Sequence, residues 1–530
     1  MRVFRLFFSV LLVFLLTACH NKRKQDSSVK TFTFYSVDLN KPQPFTDITA
    51  QEITKKSGVF LEVIPSKGAD ELSVMSANDS YPDLIYAKSD LSRLIESGAV
   101  IPLDDYIEKY GDNMKKLYGN QLVKLKYSRH NPHIYSMGTF DIKNRVTEVC
   151  GSIQLQHSVL KELGYPKINT LEDLENALIA YKTMYPYING FETIGFSLLC
   201  DDWYWLLGLS NPGGYVLGHP DDGQWFIDPN TMKATYKFLD PEMPYFYRWL
   251  NRIYHKGLLD TESFTQKEDV FQAKLKNGNV LATSYTFWGL QDSRNYLIEK
   301  KDEERTFAYL PVTKGPEYKD QSLKDYGFSG GWGIAISKDC KDPEGAFKFL
   351  DYMCSEEAQI TLNWGVEGVT YEYDSSGNRK GISNPAYNGV IGIWVYPFPQ
   401  AGKGALDSKG KYIVQNTESK IRQSYCKTER ETLRAYGVSL WTDLFPSSES
   451  LGVSPYGQVW QYSLSSESQE KMSRIDEFVK QSLIRMILGP EESFDNSWLE
   501  MTSGIRKMGI GSVTDELSSL INEKMELWKN

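Results

Sequence analysis

The most informative part of the chain is Leu94-Ile95-Glu96-Ser97-Gly98-Ala99-Val100-Ile101-Pro102-Leu103-Asp104-Asp105-Tyr106-Ile107. Glycine commonly ends a helix and proline is tolerated in a helix's first turn, so this run predicts one helix that stops at Gly98 and another that starts near Pro102. The apolar faces are expected to be Leu91, Leu94 and Ile95 in the first helix, and Leu103, Tyr106, Ile107 and Tyr110 in the second. Two short helices, each with one face against a core, are therefore predicted here.

Predicted strands and helices alternate before this run. Residues 31–37, 59–64 and 81–86 are rich in β-branched and aromatic side chains over strand length. Residues 48–56, between the first two strands, have a helical pattern. Strands that alternate with helices indicate a mostly parallel sheet with helices on both faces. The first part of the chain is therefore predicted to be an α/β domain.

The later part of the chain is predicted to be richer in helices. Thr170, followed by Asp173 three residues on, has the pattern of a helix N-cap with a carboxylate that bonds back to it. Further predicted helices cover residues 154–164, 245–256 and 472–488, and predicted strands cover residues 279–282 and 307–310. Residues 397–427 are polar and without periodicity, which predicts a surface loop.

Length and charge limit the classes of protein that fit this chain. A chain of 530 residues is too long for one hydrophobic core, so two or more domains are expected. The net charge is −9 and no basic stripe is present, so nucleic acid is not expected as a partner. The cysteines are widely spaced and no pair has CxxC spacing, so small buried side chains are expected instead of a zinc site or a disulfide framework.

The N-terminus has the pattern of a secretory signal. Arg2 and Arg5 precede an apolar run that is shorter than the roughly 20 residues a membrane-spanning helix needs. Leu16-Thr17-Ala18-Cys19 follows and resembles the lipobox of bacterial lipoproteins. The resemblance implies a signal peptide over residues 1–18, a lipid on Cys19 and a tether over residues 19–30. Acyl chains on one residue suffice to hold a protein at a membrane.

Several motifs follow the run at residues 94–107: Gly330-Gly331-Trp332-Gly333-Ile334-Ala335-Ile336-Ser337, Asp342-Pro343-Glu344, Asn363-Trp364-Gly365-Val366-Glu367-Gly368, and Gly489-Pro490-Glu491-Glu492-Ser493-Phe494-Asp495. In their sequence and their order, these motifs resemble those of the extracellular solute-binding proteins of family 1. The chain resembles in particular the large lipoprotein branch related to the alginate-binding proteins. Each motif is weak alone, but together they cover nearly the whole mature chain.

The resemblance implies an α/β fold with two lobes, a hinge and a central ligand cleft, as in periplasmic binding proteins. The first lobe is expected to contain residues 31–150 and about 279–330. The second, mainly helical lobe is expected to contain residues 151–278 and about 331–530. Closure of the two lobes about a ligand is the motion this architecture implies.

The function implied by the resemblance is that of a receptor for an ABC importer. A monomer, anchored by Cys19 to the extracytoplasmic face of the cell membrane, would capture an oligosaccharide or related sugar and deliver it to the permease subunits. Two alternatives stay open: a receptor for a peptide or peptidoglycan fragment, and a surface polysaccharide hydrolase. Fold alone does not fix the ligand.

Aromatic residues next to glycines and carboxylates are the candidate ligand-binding residues. Sugars present apolar ring faces and ring-plane hydroxyls, so their sites combine flat aromatic side chains with fixed hydrogen-bonding groups. A single aromatic is equally typical of core packing, whereas several lining one cleft favour binding. The candidates are Asp38, Asp201, Trp203, Trp205, Trp288, Trp332, Trp364 and Glu367.

The sequence gives little support for catalysis. It contains no Gly-x-Ser-x-Gly, His-Glu-x-x-His or phosphate-loop motif. Asp201 and Asp202 could in principle be the paired carboxylates of a glycosidase, but neighbouring strand residues point to opposite faces. No catalytic residue and no cofactor are predicted, and the protein is expected not to be an enzyme.

A departure from the family predicts that no calcium is bound. Many members of this branch carry a calcium loop after the helix that here follows Thr170. The matching segment, Tyr185-Pro186-Tyr187-Ile188-Asn189-Gly190-Phe191-Glu192-Thr193-Ile194-Gly195, offers too few side-chain oxygens for an ion that needs six to eight. Packing of Tyr185, Tyr187 and Phe191 is expected to hold this turn instead of a metal.

Overall fold

The computed structural model describes residues 29–39, 43–68, 71–139, 142, 148–149, 151–382, 397–415 and 417–529. The predicted signal peptide, Cys19 and almost all of the predicted tether lie outside the described residues. No helix within these ranges is both long enough and apolar enough to cross a membrane.

The first lobe is built on a five-stranded sheet. Its strand order is Val59–Pro65, Lys30–Ser36, Leu84–Tyr86, Gly333–Ile336 and Ser136–Gly138. The first three strands are parallel, as their alternation with helices predicted, whereas Gly333–Ile336 is antiparallel to both of its neighbours. The sheet is therefore mixed, because one strand is inserted from a distant part of the chain.

Both faces of this sheet are buried, as predicted. Phe34 and Ile334 pack into one core, while Tyr35, Ile85 and Ala335 pack into a second core on the opposite face. This alternation follows from the two-residue period of a strand. The covering helices are Ile48–Ser57, Glu71–Asn78, Leu91–Glu96, Asp104–Tyr110, Asp112–Tyr118, Pro343–Met353 and Glu356–Trp364.

The second lobe is built on a four-stranded sheet with the order Phe307–Leu310, Ser152–Gln156, Val280–Tyr285 and Ile194–Ser197. The prediction of a helix from residue 154 is wrong at its start, since the strand runs to Gln156 and the helix is His157–Glu162. Two glutamines on this strand conceal it in the sequence. Their buried side chains bond to backbone carbonyls, Gln154 to Tyr285 at 2.7 Å and Gln156 to Val280 at 2.6 Å.

Helices form most of the second lobe. The capping box predicted at Thr170 and Asp173 is confirmed at the start of Leu171–Met184. The aromatic-rich helix Pro244–His255 buries Phe246, Trp249 and Ile253 in the largest core. The other helices are Asn211–Tyr215, Glu268–Asn277, Phe287–Glu299, Glu418–Ser424, Lys427–Ala435, Ser448–Leu451, Ser466–Leu488, Phe494–Lys507 and Ile510–Trp528.

Sheet membership corrects the expected lobe boundaries. Strands Val280–Tyr285 and Phe307–Leu310, which were expected in the first lobe, both pair with Ser152–Gln156 in the second lobe. Strand Gly333–Ile336 and helix Pro343–Met353, expected in the second lobe, belong to the first lobe's sheet and core. Local sequence specifies a strand but not the sheet it joins. The lobe to which each of these strands belongs is therefore known only from the strand pairing in the structure.

Core membership shows where the chain passes between the lobes. Ile142 packs in the first lobe and Val149 in the second, and a second crossing lies between Leu323 and Phe328. A third separates Ile413, which packs near Leu117 of the first lobe, from Tyr425 in the core of the second. A pair of lobes joined by several segments is the arrangement expected of a hinge.

The predicted surface loop at residues 397–427 is wrong for much of its length. Phe398 is fully buried and stacks against Phe34, and Ala401 and Ala405 are also buried. Asp407 forms a buried ion pair with Arg379 at 2.5 Å. Polar composition concealed this packing, because the polar groups find partners inside the protein.

The turn after Leu171–Met184 is also held differently from the prediction. Tyr187 and Phe191 are 68% and 47% exposed, so they do not pack the turn. Ile188 is buried there, Thr193 donates a 2.6 Å hydrogen bond to the Tyr185 carbonyl, and the Asn189 side chain donates to the Asn277 carbonyl at 3.0 Å. Of the three aromatics expected to hold the turn, Tyr185 does pack, with its ring centroid 4.8 Å from that of Tyr181, while Ile188 and two polar anchors replace Tyr187 and Phe191.

Candidate ligand-binding site

A cavity of about 500 Å³ lies between the two lobes. This volume falls in the range of small-molecule sites. Most of its lining comes from the second lobe, and Ser89 of the first lobe closes one side. The Ser463 hydroxyl donates a 3.0 Å hydrogen bond to the Ser89 carbonyl, which joins the lobes at this edge. The cavity is thus a cleft between lobes.

Aromatic rings form much of the cleft. Trp203, Trp205, Trp225, Trp460 and Tyr462 all line it. Trp205 is buried and stacks on Phe238, which fixes its orientation from behind. Trp203 is 46% exposed at the rim, where its ring stacks on that of Tyr204 with centroids 4.4 Å apart. One tryptophan is therefore held in the wall and another is presented to solvent.

The aromatic surface continues beyond the cavity. Trp288, 47% exposed, lies 6.4 Å from Trp203 between ring centroids, with an angle of 24° between the rings. It is carried on the first turn of helix Phe287–Glu299, which Thr286 caps by accepting from the Gly289 N–H. Trp203 and Trp288 are thus two exposed, nearly parallel rings that extend the aromatic surface of the cleft on the second lobe.

On the first lobe, a chain of contacts leads to the same cleft. The Asp38 carboxylate pairs with the Lys88 ammonium at 2.5 Å, and that ammonium lies 4.8 Å from the centre of the Trp332 ring. The Trp332 ring meets Trp460, a cleft residue, at 4.8 Å and 65°. Asp38 and Trp332 therefore stand behind the wall of the cleft, where they position Trp460 and Lys88.

Three residues around the cleft have backbones in the left-handed region, which non-glycine residues rarely adopt. The φ angles are 45° at Asp202, 51° at Lys88 and 48° at Trp332. The glycines beside Trp332 permit this path: a Cβ on Gly330 would lie 2.0 Å from the Lys124 carbonyl oxygen. Backbone strain of this kind concentrates at functional sites.

The polar wall of the cleft is one face of helix Ser466–Leu488, formed by Ser473, Asp476, Glu477 and Lys480. The Asp476 carboxylate accepts from the Tyr236 hydroxyl at 2.9 Å and from the Gln224 amide at 2.7 Å. Burial raises the pKa of Asp476 to about 6, and these two hydrogen bonds oppose the shift. Both oxygens are thereby fixed in place, with their remaining acceptor capacity available to a ligand.

Buried charges lie behind this wall. Lys237 is fully buried and donates to Asn211 at 2.8 Å and to the Gly223 carbonyl at 2.7 Å, and burial lowers its pKa to about 7. Asp222 is also buried; its Oδ2 accepts from the Tyr456 hydroxyl at 3.0 Å, while its Oδ1 has no hydrogen-bond partner among the described residues. Burial raises the pKa of Asp222 to about 7. Buried groups with shifted pKa values cluster at functional sites, and these two lie next to the cleft.

The structure brings together some of the candidate residues and separates others. Trp203 and Trp205 line the cleft, Trp288 adjoins it, and Asp38 and Trp332 stand behind it. Asp201 instead pairs with Lys267 at 2.7 Å, and its neighbour Asp202 lines the cleft.

Trp364 and Glu367 lie outside this set. Trp364 is 3% exposed, and its indole N–H donates a 2.8 Å hydrogen bond to the Ile413 carbonyl. Trp364 is therefore a buried structural residue of the first lobe. Glu367 is exposed on the segment that follows, where its backbone bridges to Tyr371. The motif that contains them is a structural feature of the fold in this protein.

Sequence reasoning missed several lining residues, among them Trp225, Trp460, Asp476 and Lys480. Trp460 lacks the adjacent glycine that drew attention to Trp332. The helix residues had a signal, since positions 473, 476, 477 and 480 repeat at the helical spacing, but that pattern is shared with any solvated helix face.

The chain matches the family model of the bacterial extracellular solute-binding proteins over residues 40–360. This match covers more than half of the chain, and the protein belongs to that family. The resemblance noted in the sequence is thereby confirmed.

Two curated relatives are similar in sequence. The fructooligosaccharide ABC transporter substrate-binding protein FusA of Streptococcus pneumoniae serotype 4 (strain ATCC BAA-334 / TIGR4) is 24% identical over 369 residues, which cover 65% of this chain and 64% of FusA. Lipoprotein LipO of Bacillus subtilis (strain 168) is 26% identical over 320 residues, 57% of this chain and 59% of LipO. The alignments thus span less than two thirds of either relative.

Solved structures confirm the two-lobed fold. FusA in complex with kestose superimposes with a TM-score of 0.66 at 19% identity, covering 93% of this chain and 99% of FusA. The alginate-binding protein AlgQ2 without calcium ion gives a TM-score of 0.66 at 16% identity, covering 94% and 100%. At these identities the likeness establishes the fold, including its interlobe cleft.

Proposed function

We propose that the protein is an oligosaccharide receptor that delivers its ligand to the permease of an ABC importer. The observation that carries this proposal is the interlobe cleft lined by Trp203, Trp205, Trp225 and Trp460 together with the polar face of helix Ser466–Leu488. Aromatic faces pack on sugar rings, and the fixed carboxylate of Asp476 accepts hydrogen bonds from hydroxyls. The relative FusA is named for fructooligosaccharide, which supports the same ligand class.

The cleft geometry suggests how capture works. Most of the lining is on the second lobe, so a sugar binds first on Trp203 and Trp205. The first lobe then moves in about the connecting segments and brings Ser89 over the ligand and Trp332 against Trp460. Closure expels water, orders the cleft and creates the shape that a permease distinguishes from the empty receptor.

The receptor works at the outer face of the membrane, held by a lipid on Cys19. The lipobox pattern at residues 16–19 supports this location, as does membership in an extracellular family, and the relative LipO is named a lipoprotein. A tether there leaves both lobes able to face the permease as a monomer.

Binding is proposed to occur without turnover. Retaining and inverting glycosidases need two carboxyl groups about 5 or about 6.5–9.5 Å apart on opposite sides of the scissile bond. Of the three cleft carboxylates, Asp476 and Glu477 are neighbours on one helix and approach a ligand from the same side, so a catalytic pair would require Asp202, which lies on a separate segment.

Calorimetric titration with neutral trisaccharides, including kestose, tests the function directly. We expect saturable binding to the intact chain and recovery of the sugar unchanged after prolonged incubation. Saturable binding of a peptide panel with no response to any sugar would favour the peptide receptor instead. New reducing ends that disappear in a Glu477→Gln variant would establish a hydrolase.

A further inference from the structure

The charged side chains of the cleft point to a restriction on its ligand that the fold does not impose. We propose that the cleft takes neutral or amino-bearing oligosaccharides and rejects those that carry carboxylates or sulfates. This proposal rests on the proposed function and specifies the ligand class at the same site.

The cleft lining carries an excess of negative charge. Asp202, Asp476 and Glu477 contribute carboxylates, and Lys480 contributes one ammonium. Asp202 and Glu477 are exposed at the surface of the cleft. Asp476 is held as an acceptor by the Tyr236 hydroxyl and the Gln224 amide. A cleft with an excess of one sign of charge repels ligands of the same sign and concentrates those of the opposite sign.

Two of the neighbouring cations, Lys88 and Lys267, are already paired with carboxylates. Lys88, on the first lobe, pairs with Asp38 at 2.5 Å and lies against the Trp332 ring. Lys267, beside the Trp203 rim, pairs with Asp201 at 2.7 Å. Neither lysine can bind an anionic ligand without breaking the ion pair with its own carboxylate. Lys88 and Lys267 therefore do not offset the negative lining, and Lys237, buried behind the polar wall, is held by Asn211 and the Gly223 carbonyl and does not reach the cleft surface.

The lining also lacks the group that best recognises carboxylates and sulfates. Those anions are bound most specifically by the planar fork of arginine, which donates two parallel hydrogen bonds. Among the described residues, no arginine lines the cleft. Hydroxyl groups, in contrast, can donate to Asp476 and Glu477, and an amino sugar can pair with them. The site therefore favours ligands that present hydrogen-bond donors over ligands that present anionic acceptors.

The experiment compares trisaccharides that match in linkage and stereochemistry but differ in charge. The pairs are β-1,4-mannotriose with its mannuronate trimer and α-1,4-galactotriose with its galacturonate trimer, beside kestose, tri-N-acetylchitotriose and triglucosamine. Binding to the intact chain is measured by calorimetry at low salt and again at about 0.5 M salt, where repulsion between exposed charges is screened. We expect the uronate trimers to bind at least about tenfold more weakly than the best neutral or amino-bearing ligand, with the gap narrowing in high salt.

A charge-neutralising variant and a matched control complete the test. Glu477→Gln should lower the ratio of the affinity for neutral trisaccharides to the affinity for uronate trimers, because it removes one negative charge from the cleft. Glu467→Gln removes the same charge from the same helix at a side chain that is 86% exposed and outside the cleft lining, and it should leave the ratio unchanged. A uronate trimer that binds as tightly as the neutral ligands overturns the charge restriction and leaves the sugar-receptor function standing. Failure of every sugar to bind overturns both.

Discussion

Replacing Asp222 by asparagine should change the pH dependence of stability in the second lobe. Asp222 is 2% exposed, and burial raises its pKa from 3.8 to about 7. A carboxyl whose pKa is raised on folding contributes stability that is fully present below about pH 4 and is lost as the pH rises through about 7. The wild-type protein should therefore lose stability between these values. The side-chain amide of the Asp222→Asn variant does not titrate, so it should not contribute to that loss.

The magnitude follows from the shift. A rise of about three units corresponds to about 4 kcal/mol lost at pH 8, as an order-of-magnitude upper value. The amide oxygen of the variant can still accept from the Tyr456 hydroxyl, but the amide NH₂ group would occupy the position of Asp222 Oδ1, which has no hydrogen-bond partner among the described residues. That buried donor costs about 1–3 kcal/mol. A net gain of about 1–3 kcal/mol at pH 8 is expected from these two opposing effects, and this gain should vanish or reverse at pH 4.5.

Calorimetric melting at pH 4.5, 6 and 8 measures the effect. For a chain of 530 residues that unfolds as one unit, an unfolding entropy of about 2.1 cal/mol/K per residue means that each kcal/mol moves the midpoint by about 1 °C. Asp228→Asn is the matched control, since Asp228 is an exposed carboxylate whose pKa is lowered by hydrogen bonds from the Thr231 and Asn230 backbones. Its contribution is present above about pH 4 and should not vary across this range. Midpoints of wild-type protein and Asp222→Asn that move in parallel with pH would refute the reasoning.

Three further predictions concern the tryptophans, the anchor and the turn after Leu171–Met184. Trp203→Ala should weaken sugar binding by about 1–3 kcal/mol, the cost of removing a stacked ring in other ligand classes, and leave the melting midpoint nearly unchanged. Trp364→Ala should instead cost about 3–5 kcal/mol of stability, because that ring is buried and hydrogen-bonded; the reverse pattern would contradict the assignment of the site. Cys19→Ser should release the protein from membranes in a fractionation experiment, whereas continued processing and acylation would exclude the lipobox. The melting midpoint should be the same in millimolar calcium as in excess chelator, because the side chains of Thr193 and Asn189 already donate hydrogen bonds to backbone carbonyls. A calcium-dependent rise of several degrees that Asn189→Ala abolishes would instead show a metal site.

The elements that could be predicted from the sequence are those with local signals. The strand at Lys30–Ser36, the capping box at Thr170 and the helix at Pro244–His255 follow from side-chain pattern and capping chemistry alone. Lobe membership could not be predicted this way, because the pairing of Gly333–Ile336 with Leu84–Tyr86 joins segments about 250 residues apart.

The site was predictable only in part for a similar reason. Trp203 and Trp205 drew attention through their dense local cluster of aromatics and carboxylates, and both line the cleft. Trp364 has an equally suggestive neighbourhood, yet its indole is buried against the Ile413 carbonyl. Asp476 lies on an ordinary amphipathic helix, and only the contacts from Tyr236 and Gln224 distinguish it. Burial and long-range partners, which local sequence does not encode, separate these cases.

A crystal structure of the protein with the tightest-binding trisaccharide tests the central claim most directly. The account predicts sugar rings against Trp203, Trp205 or Trp460, and a hydroxyl within hydrogen-bond distance of the Asp476 carboxylate, with Ser89 of the first lobe closed over the ligand. A sugar bound elsewhere, such as against the exposed segment around Glu367, with the interlobe cleft empty, would contradict it.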